Sequence, residues 1–189
     1  MKILLLTSNQ EPLDGWSVVG YNVASNLGLK NKFEVYSREE CYKIGIGHKK
    51  LRTEAFIKYN FVSILVDILN IILTIKNKPD IIYCNVEHFA PVAMLLSFFY
   101  KVPYTVTAHG TYSVLLPAKY KIYKKAYEKA NVVITVSNYT KNRMLQEGID
   151  ANYEVVLNGV NKEVFKPDKG IKKEDVITFV GNLKARKGL

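Results

Sequence analysis

What most constrains this chain is an alternation. Short, continuous apolar runs that end in polar residues are separated, along nearly the whole length, by stretches with helical spacing. The opening run KILLLTS (2–8) has the unbroken hydrophobicity of a parallel strand buried on both faces. Behind it, Asp14 and Gly15 mark a turn, after which Val18, Val19, Tyr21, Val23, Ala24 and Leu27 recur at helical spacing. FEVYS (33–37), IIYC (81–84), YTVTA (104–108), VVITV (132–136) and YEVVL (153–157) repeat the strand signal. Between them, 51–75, 90–100, a Tyr- and Lys-rich stretch ending near 129, and 140–146 read as helices, and the basic segment 38–50 reads as a loop. Pro79 and Pro103 fall just ahead of strands, where they stop helices without removing a ladder donor. The alternation predicts right-handed crossovers and an α/β, doubly wound, mostly parallel, Rossmann-like sheet.

At roughly 150 residues per domain, a chain of 189 residues holds one domain and a remainder. Residues 1–167 are expected to form the Rossmann-like domain, and the charged DKGIKKED segment (168–175) a linker. Residues 176–189 then begin a second, truncated domain, whose first strand is VITFV (176–180). Without the rest of that domain, VITFV is expected to be disordered or to pair with a neighbouring chain. The 27 Lys and Arg against 17 Asp and Glu leave a net charge of +10, a field that favours anionic partners. Cys41 and Cys84 lie far apart without a CxxC or a His cluster, so the sequence points to neither a disulfide framework nor a zinc site, and it fits a reducing compartment. The apolar run 3–6 is shorter than the roughly 7–15 residues of a signal-peptide core, so the expected location is the cytoplasm.

In an open parallel sheet, ligands bind outside the carboxyl ends of the strands, where loops and helix N-termini present unpaired N–H groups. The residues just after the strands are Asp14-Gly15-Trp16-Ser17, then Asn85, Glu87 and His88, then His109-Gly110-Thr111, then Ser137, then Asn158-Gly159. Each has two readings. Gly15 is either a tight turn or a close approach for a phosphate at a helix start; His109 is a structural or a site histidine. Glu87 and His88 cap a helix, face solvent or line a pocket, and Asn158-Gly159 is a turn or part of the site. Neither GxGxxG after the first strand nor GxxxxGK[ST] is present, which disfavours a dinucleotide dehydrogenase and a Walker-type NTPase. FVSILVDILNIILTI (61–75) is too short for a membrane span of roughly 20 residues. It reads as a helix packed against the sheet, or as a surface helix dipping into a membrane interface with Lys49, Lys50 and Arg52 on its flank. Lys119, Lys121, Lys124, Lys125 and Lys129 interleave with Tyr120, Tyr123 and Tyr127, but the tyrosine spacing is that of a packing stripe, and nucleic acid is not the expected partner.

Five segments in order resemble glycosyltransferase family 4. LNGVNKEVFKP (157–167) is similar to that family's "NGVD…F.P" stretch, and ITVSNYTKNRM (134–144) to its "V-S-x-x-T/S" stretch. PDIIYCN (79–85), VPYTVTAHG (102–110) and FVGNLKARKGL (179–189) fall in the family's order. The resemblance implies a GT-B architecture, two Rossmann-like domains facing a cleft, of which this chain holds the acceptor-side one. It implies transfer of a sugar from a nucleotide-sugar donor, with retention and without a required metal or other cofactor, to an acceptor such as a glycan or lipid-linked glycan. By position, His109 would be the catalytic-site residue that hydrogen-bonds the transferred sugar. Gly15 would approach the diphosphate and Lys187 would pair with it, with Ser137, Asn158 and Gly159 completing the donor side. Trp16, Glu87 and His88 would line the acceptor pocket. Growing negative charge on the leaving diphosphate would be met by these preorganised donors.

Two positions depart from the family pattern. Asn182 follows Gly181 where the family has Arg, and Asn161 stands where it commonly has Asp. The family's carboxylate pair for ribose and sugar would lie past Leu189, so the chain is expected to be inactive alone and to need a C-terminal domain, in cis or as a partner chain. The rival reading is a non-catalytic GT-B-like docking domain acting with a partner; a more remote one is a sugar-nucleotide epimerase. Peripheral contact with an acidic membrane is a further expectation, raised by the basic and apolar patches.

Overall fold

Every strand of the sheet runs parallel to its neighbours, as the alternation requires. The structure is a computed structural model and describes residues 1–8, 15–28, 32–37, 48–50, 61–167, 170 and 175–181. The strands are β1 (Lys2–Thr7), β2 (Lys32–Ser37), β3 (His48–Lys50), β4 (Ile81–Cys84), β5 (Tyr104–Ala108), β6 (Val132–Thr135) and β7 (Tyr153–Val155), and they lie in the order β3-β2-β1-β4-β5-β6-β7. The chain winds outward from β1 to one edge, then crosses back to β4 and winds to the other. The switch point is therefore between β1 and β4, and in sheets of this kind ligands bind beyond the carboxyl ends of the strands at that point.

The helices are α1 (Gly15–Gly28), α2 (Phe61–Thr74), α3 (Ala90–Tyr100), α4 (Thr111–Lys119), α5 (Lys121–Glu128) and α6 (Asn138–Gln146), with a 3-10 turn at Glu87–Phe89. Period-two alternation sorts the strand residues between two faces. Leu5 and Val35 join Ala24 of α1 and the half-buried Tyr83 in a small cluster. Leu4, Leu6, Tyr36, Ile82, Cys84, Val106 and Val133 face the other way and meet buried residues of α2, α3, α5 and α6. On α1 the buried positions among residues 15–26 are Ser17, Gly20 and Ala24, all small, which lets that stretch of the helix lie close on the sheet.

Several elements differ from the sequence-based expectation, each for a physical reason. The tail of the expected 38–50 loop is β3, paired through Val35↔His48, Tyr36↔Lys49 and Ser37↔Lys50. Its three residues, His48, Lys49 and Lys50, carry no apolar run, so hydrophobic pattern does not reveal it. Of the helix expected over 51–75, α2 covers Phe61–Thr74, and 51–60 lie outside the described residues. The Tyr- and Lys-rich helix is two helices broken at Tyr120, which is extended (φ −133, ψ 110). Pro117 in α4 withdraws a donor from its last turn. The tyrosine stripe is a packing stripe: Tyr123 and Tyr127 are buried, and the Tyr123 hydroxyl donates to His88 O at 3.1 Å.

Two compact units divide the chain, Met1–Asn158 and Gly159–Leu189. The first carries the whole sheet. In the second, Asn161 Oδ1 accepts from the Glu163 N–H at 2.9 Å, and Asn161 O accepts from the N–H groups of Val164 and Phe165. This turn needs an acceptor oxygen and no charge, which Asn supplies as well as Asp. VITFV (176–180), read as the first strand of a further domain, is exposed and belongs to no strand.

Candidate active site at the carboxyl rim of the sheet

Asn85, the first residue after β4, is the hub of the rim. It is fully buried; its Nδ2 donates to Trp16 O at 2.9 Å and to Thr7 Oγ1 at 3.2 Å. Its carbonyl oxygen lies 2.7 Å from His109 Nε2. A carbonyl can only accept, so Nε2 carries the proton, and in the neutral ring Nδ1 is the acceptor. One residue thus ties the start of α1, after β1, to the turn after β5. Gly15 and His109 consequently belong to the same end of the sheet.

Gly20 permits this closeness. A Cβ built there would sit 2.6 Å from Thr7 Oγ1 and 2.8 Å from Asn85 Nδ2. Both neighbours are buried and hydrogen-bonded, so neither can swing away. Gly20→Ala is expected to push α1 outward and cost about 1–3 kcal/mol as overpacking, measured as a lowered urea midpoint with an unchanged m-value.

Glu87 holds the His109 turn from beneath. Its side chain is completely buried, and Oε1 accepts the His109 N–H at 2.9 Å and the Ser113 hydroxyl at 3.0 Å. The Ser113 hydroxyl in turn accepts the Gly110 N–H at 3.2 Å, and the Ser113 N–H donates to Gly110 O at 3.0 Å. Gly110, at φ +124, occupies a region that side chains strain to enter, and it starts α4. Glu87 Oε2 is buried without a hydrogen-bond partner among the described residues. Burial raises the Glu87 carboxyl above the ordinary carboxylate range; the nearby His109, backbone N–H bonds and Ser113 oppose that only in part. Tyr127, fully buried near Glu87 and Cys84, has its phenol pushed well up by burial. Cys84 donates its S–H to Val86 O at 3.1 Å, and burial pushes its thiol up as well, so it is a packed, unreactive thiol.

Above this floor three rings meet. Trp16 stands edge-on to His88 with centroids 5.5 Å apart, and Tyr112 lies 5.6 Å from Trp16 and 5.4 Å from His88. His88 is buried while Trp16 and Tyr112 are partly exposed, so the two larger rings present the accessible surface.

The structure therefore brings Gly15, Trp16, Glu87, His88 and His109 to one rim. Glu87 is placed as a positioning residue for the His109 turn rather than as an open pocket wall. Ser137 lies after β6, where its hydroxyl accepts the Thr140 N–H at 3.1 Å as the cap of α6. Asn158 is exposed beyond β7, Gly159 is exposed in the second unit, and Lys187 and Asn182 lie outside the described residues. Sequence reasoning did not single out Gly20, Tyr112 or Ser113, and it treated Asn85 as one rim residue among several. Among the described residues no group of three or more His, Cys, Asp or Glu could hold a metal ion.

Comparison with known proteins supplies the family. Among solved structures, the chain is similar to Anabaena Alr3699/HepE in complex with UDP and glucose, at TM-score 0.69 and 18% identity, covering 89% of this chain and 47% of that one. It is similar to sucrose-phosphate synthase from Thermosynechococcus elongatus at TM-score 0.64 and 13% identity, covering 88% and 50%. It also resembles the lipopolysaccharide outer core galactosyltransferase WaaB at TM-score 0.61 and 19% identity, covering 90% and 50%. The chain thus spans about half the length of each, and at these identities the likeness is one of fold, the Rossmann-like GT-B fold. Curated proteins searched by sequence give no match. Glycosyltransferase Family 4 matches over residues 33–164, a span that contains β4, β5 and β6 and the whole His109 turn, and this chain belongs to that family.

Proposed function

We propose that this chain forms one side of the cleft of a retaining glycosyltransferase, which moves a sugar from a nucleotide-sugar donor to a glycan or lipid-linked acceptor. The observation that carries the reading is Asn85 holding the start of α1 and the His109 ring at one opening. His109, with Nε2–H committed to the Asn85 carbonyl, offers Nδ1 to a sugar hydroxyl in a fixed orientation. The N-terminus of α1 at Gly15 offers N–H groups and the positive end of a helix dipole to the diphosphate. Trp16 and Tyr112 give the acceptor sugar an aromatic wall.

In this reading the diphosphate charge that develops as the glycosidic C–O bond breaks is met by protein donors, Lys187 among them, and not by a metal. The family assignment supports sugar transfer, and similar structures carry UDP with glucose, or UDP-glucose. Because the chain spans about half of those proteins, the reading places the remaining donor contacts on a second unit, in cis or as a partner chain. The free thiol of Cys84 fits a cytoplasmic setting.

The test is heat protection of the full-length protein across UDP-, GDP- and ADP-sugars. One of them is expected to raise Tm in proportion to the logarithm of its concentration, and to do so equally with a chelator present. Silence from every nucleotide sugar would sink the reading, as would transfer by the isolated 189-residue chain for its half-site part.

A further inference from the structure

The α2 helix has two apolar faces, and among the described residues only one of them is packed into the fold. Ile64, Asp67 and Ile71 face inward and are buried, whereas Val62, Leu65, Leu69 and Leu73 form a stripe on the outer side, with Leu73 81% exposed. Spacings of three, four and four residues put all of these on one side of the helix. Beside it, the last turns of α3 leave Phe98 86% and Phe99 57% exposed. A surface helix with a polar outer face would need no explanation; an outer stripe of aliphatic residues next to two exposed phenylalanines does.

Topology puts lysines at the end of this patch. α2 precedes β4 and α3 precedes β5, the two strands are parallel neighbours, and the two helices pack together. Both helices therefore run against the strands and finish at the amino ends of β4 and β5, opposite the His109 rim. Lys76 and Lys78 follow α2 and Lys101 follows α3, all exposed and in none of the ion pairs seen among the described residues. The acidic groups at that end are held by backbone donors. Glu34 accepts from the N–H groups of Lys76 and Asn77, and Asp80 accepts from that of Lys2.

We propose that the outer face of α2, with Phe98 and Phe99, is a seat for the surface of an acidic lipid bilayer. The apolar stripe enters the headgroup boundary while Lys76, Lys78 and Lys101 meet anionic headgroups. No helix among the described residues is long and apolar enough to cross a membrane, so the contact is in-plane. A second copy is a poorer occupant. A second copy of this chain, itself at +10, would bring no excess of acidic groups to these lysines. The sequence pointed to Lys49, Lys50 and Arg52 for such a contact, of which Arg52 lies outside the described residues; Lys76, Lys78 and Lys101 are further candidates, beyond the last turns of α2 and α3.

The experiment is co-sedimentation of the chain with vesicles of phosphatidylcholine alone and of an equal mixture with phosphatidylglycerol. Binding to the mixed vesicles should be roughly tenfold stronger or more, and should weaken as salt rises. The double variant Leu73→Glu/Phe98→Glu should lose it, and so should Lys76→Glu/Lys101→Glu, each with unchanged circular dichroism because the replaced side chains are exposed. Equal binding to both vesicles, no binding to either, variants that bind like the parent, or a dimer dissolved by Leu73→Glu/Phe98→Glu would each overturn the proposal. The assay reads neither donor nor transfer, so its failure leaves the sugar-transfer reading standing, and the reverse.

Discussion

Glu87→Ala is expected to cost about 2–4 kcal/mol of folding stability, because it leaves the His109 N–H and the Ser113 hydroxyl without their acceptor and opens a cavity in a site that cannot collapse. Glu87→Gln keeps an acceptor oxygen at the Oε1 position and should cost about 1 kcal/mol. The pH dependence separates the carboxyl from a generic buried polar group. Its folded-state value is raised by burial, so the folded protein holds the proton longer than the unfolded one. The stabilising contribution is fully present below the ordinary value of about 4.3, and it is lost as pH rises from there through the folded value. Wild type should therefore lose stability across that window relative to Glu87→Gln, which has no such proton. Urea titrations at a series of pH values read the difference, and a wild type that gains on Glu87→Gln as pH rises would show that the carboxyl is held ionised in the fold.

His109→Ala is expected to lower kcat/KM for sugar transfer by about 100- to 1,000-fold in the full-length protein, the loss typical of removing one oriented donor or acceptor from a reacting centre. From the fold the same substitution removes the Nε2 contact to Asn85 O and the ring's influence on Glu87, a cost of about 1 kcal/mol. The disparity between the two effects is what distinguishes a group acting on substrate from one that merely braces a turn. If the loss falls on kcat with acceptor KM little changed, His109 acts in the transition state. If activity falls only as far as the folded fraction does, its role is structural. Glu87→Gln should then show a smaller loss of rate, since it acts on substrate only through the position of the His109 backbone.

Much of the sheet could be read from the chain because parallel strands buried on both faces are written as unbroken apolar runs. IIYC (81–84) and YTVTA (104–108) match β4 and β5 residue for residue. What escaped was held by something other than side-chain pattern. β3 exists through backbone pairing with β2, and the break at Tyr120 through local backbone geometry. The rim was legible as a set of positions, since strand ends in this topology must converge, but its wiring was not. Nothing in the neighbourhood of Asn85 indicates that its side chain would serve a turn 69 residues before it and its carbonyl one 24 residues after it. Glu87 had several readings in the sequence, a cap, a solvent-facing group or a pocket residue, and its complete burial with Oε1 on the His109 N–H is what makes it a brace for that turn. Ser17, Gly20 and Ala24 were an available signal, a run of small residues at helical spacing, that close packing at the switch point was coming.

The most direct test is the structure of the full-length protein with an unreactive nucleotide-sugar analogue bound. This account predicts the transferred sugar with a hydroxyl about 2.6–3.2 Å from the His109 ring, its diphosphate against the N-terminus of α1, and the Asn85 bonds intact. A donor bound with its sugar away from this rim, leaving His109 in contact only with Asn85, would contradict it.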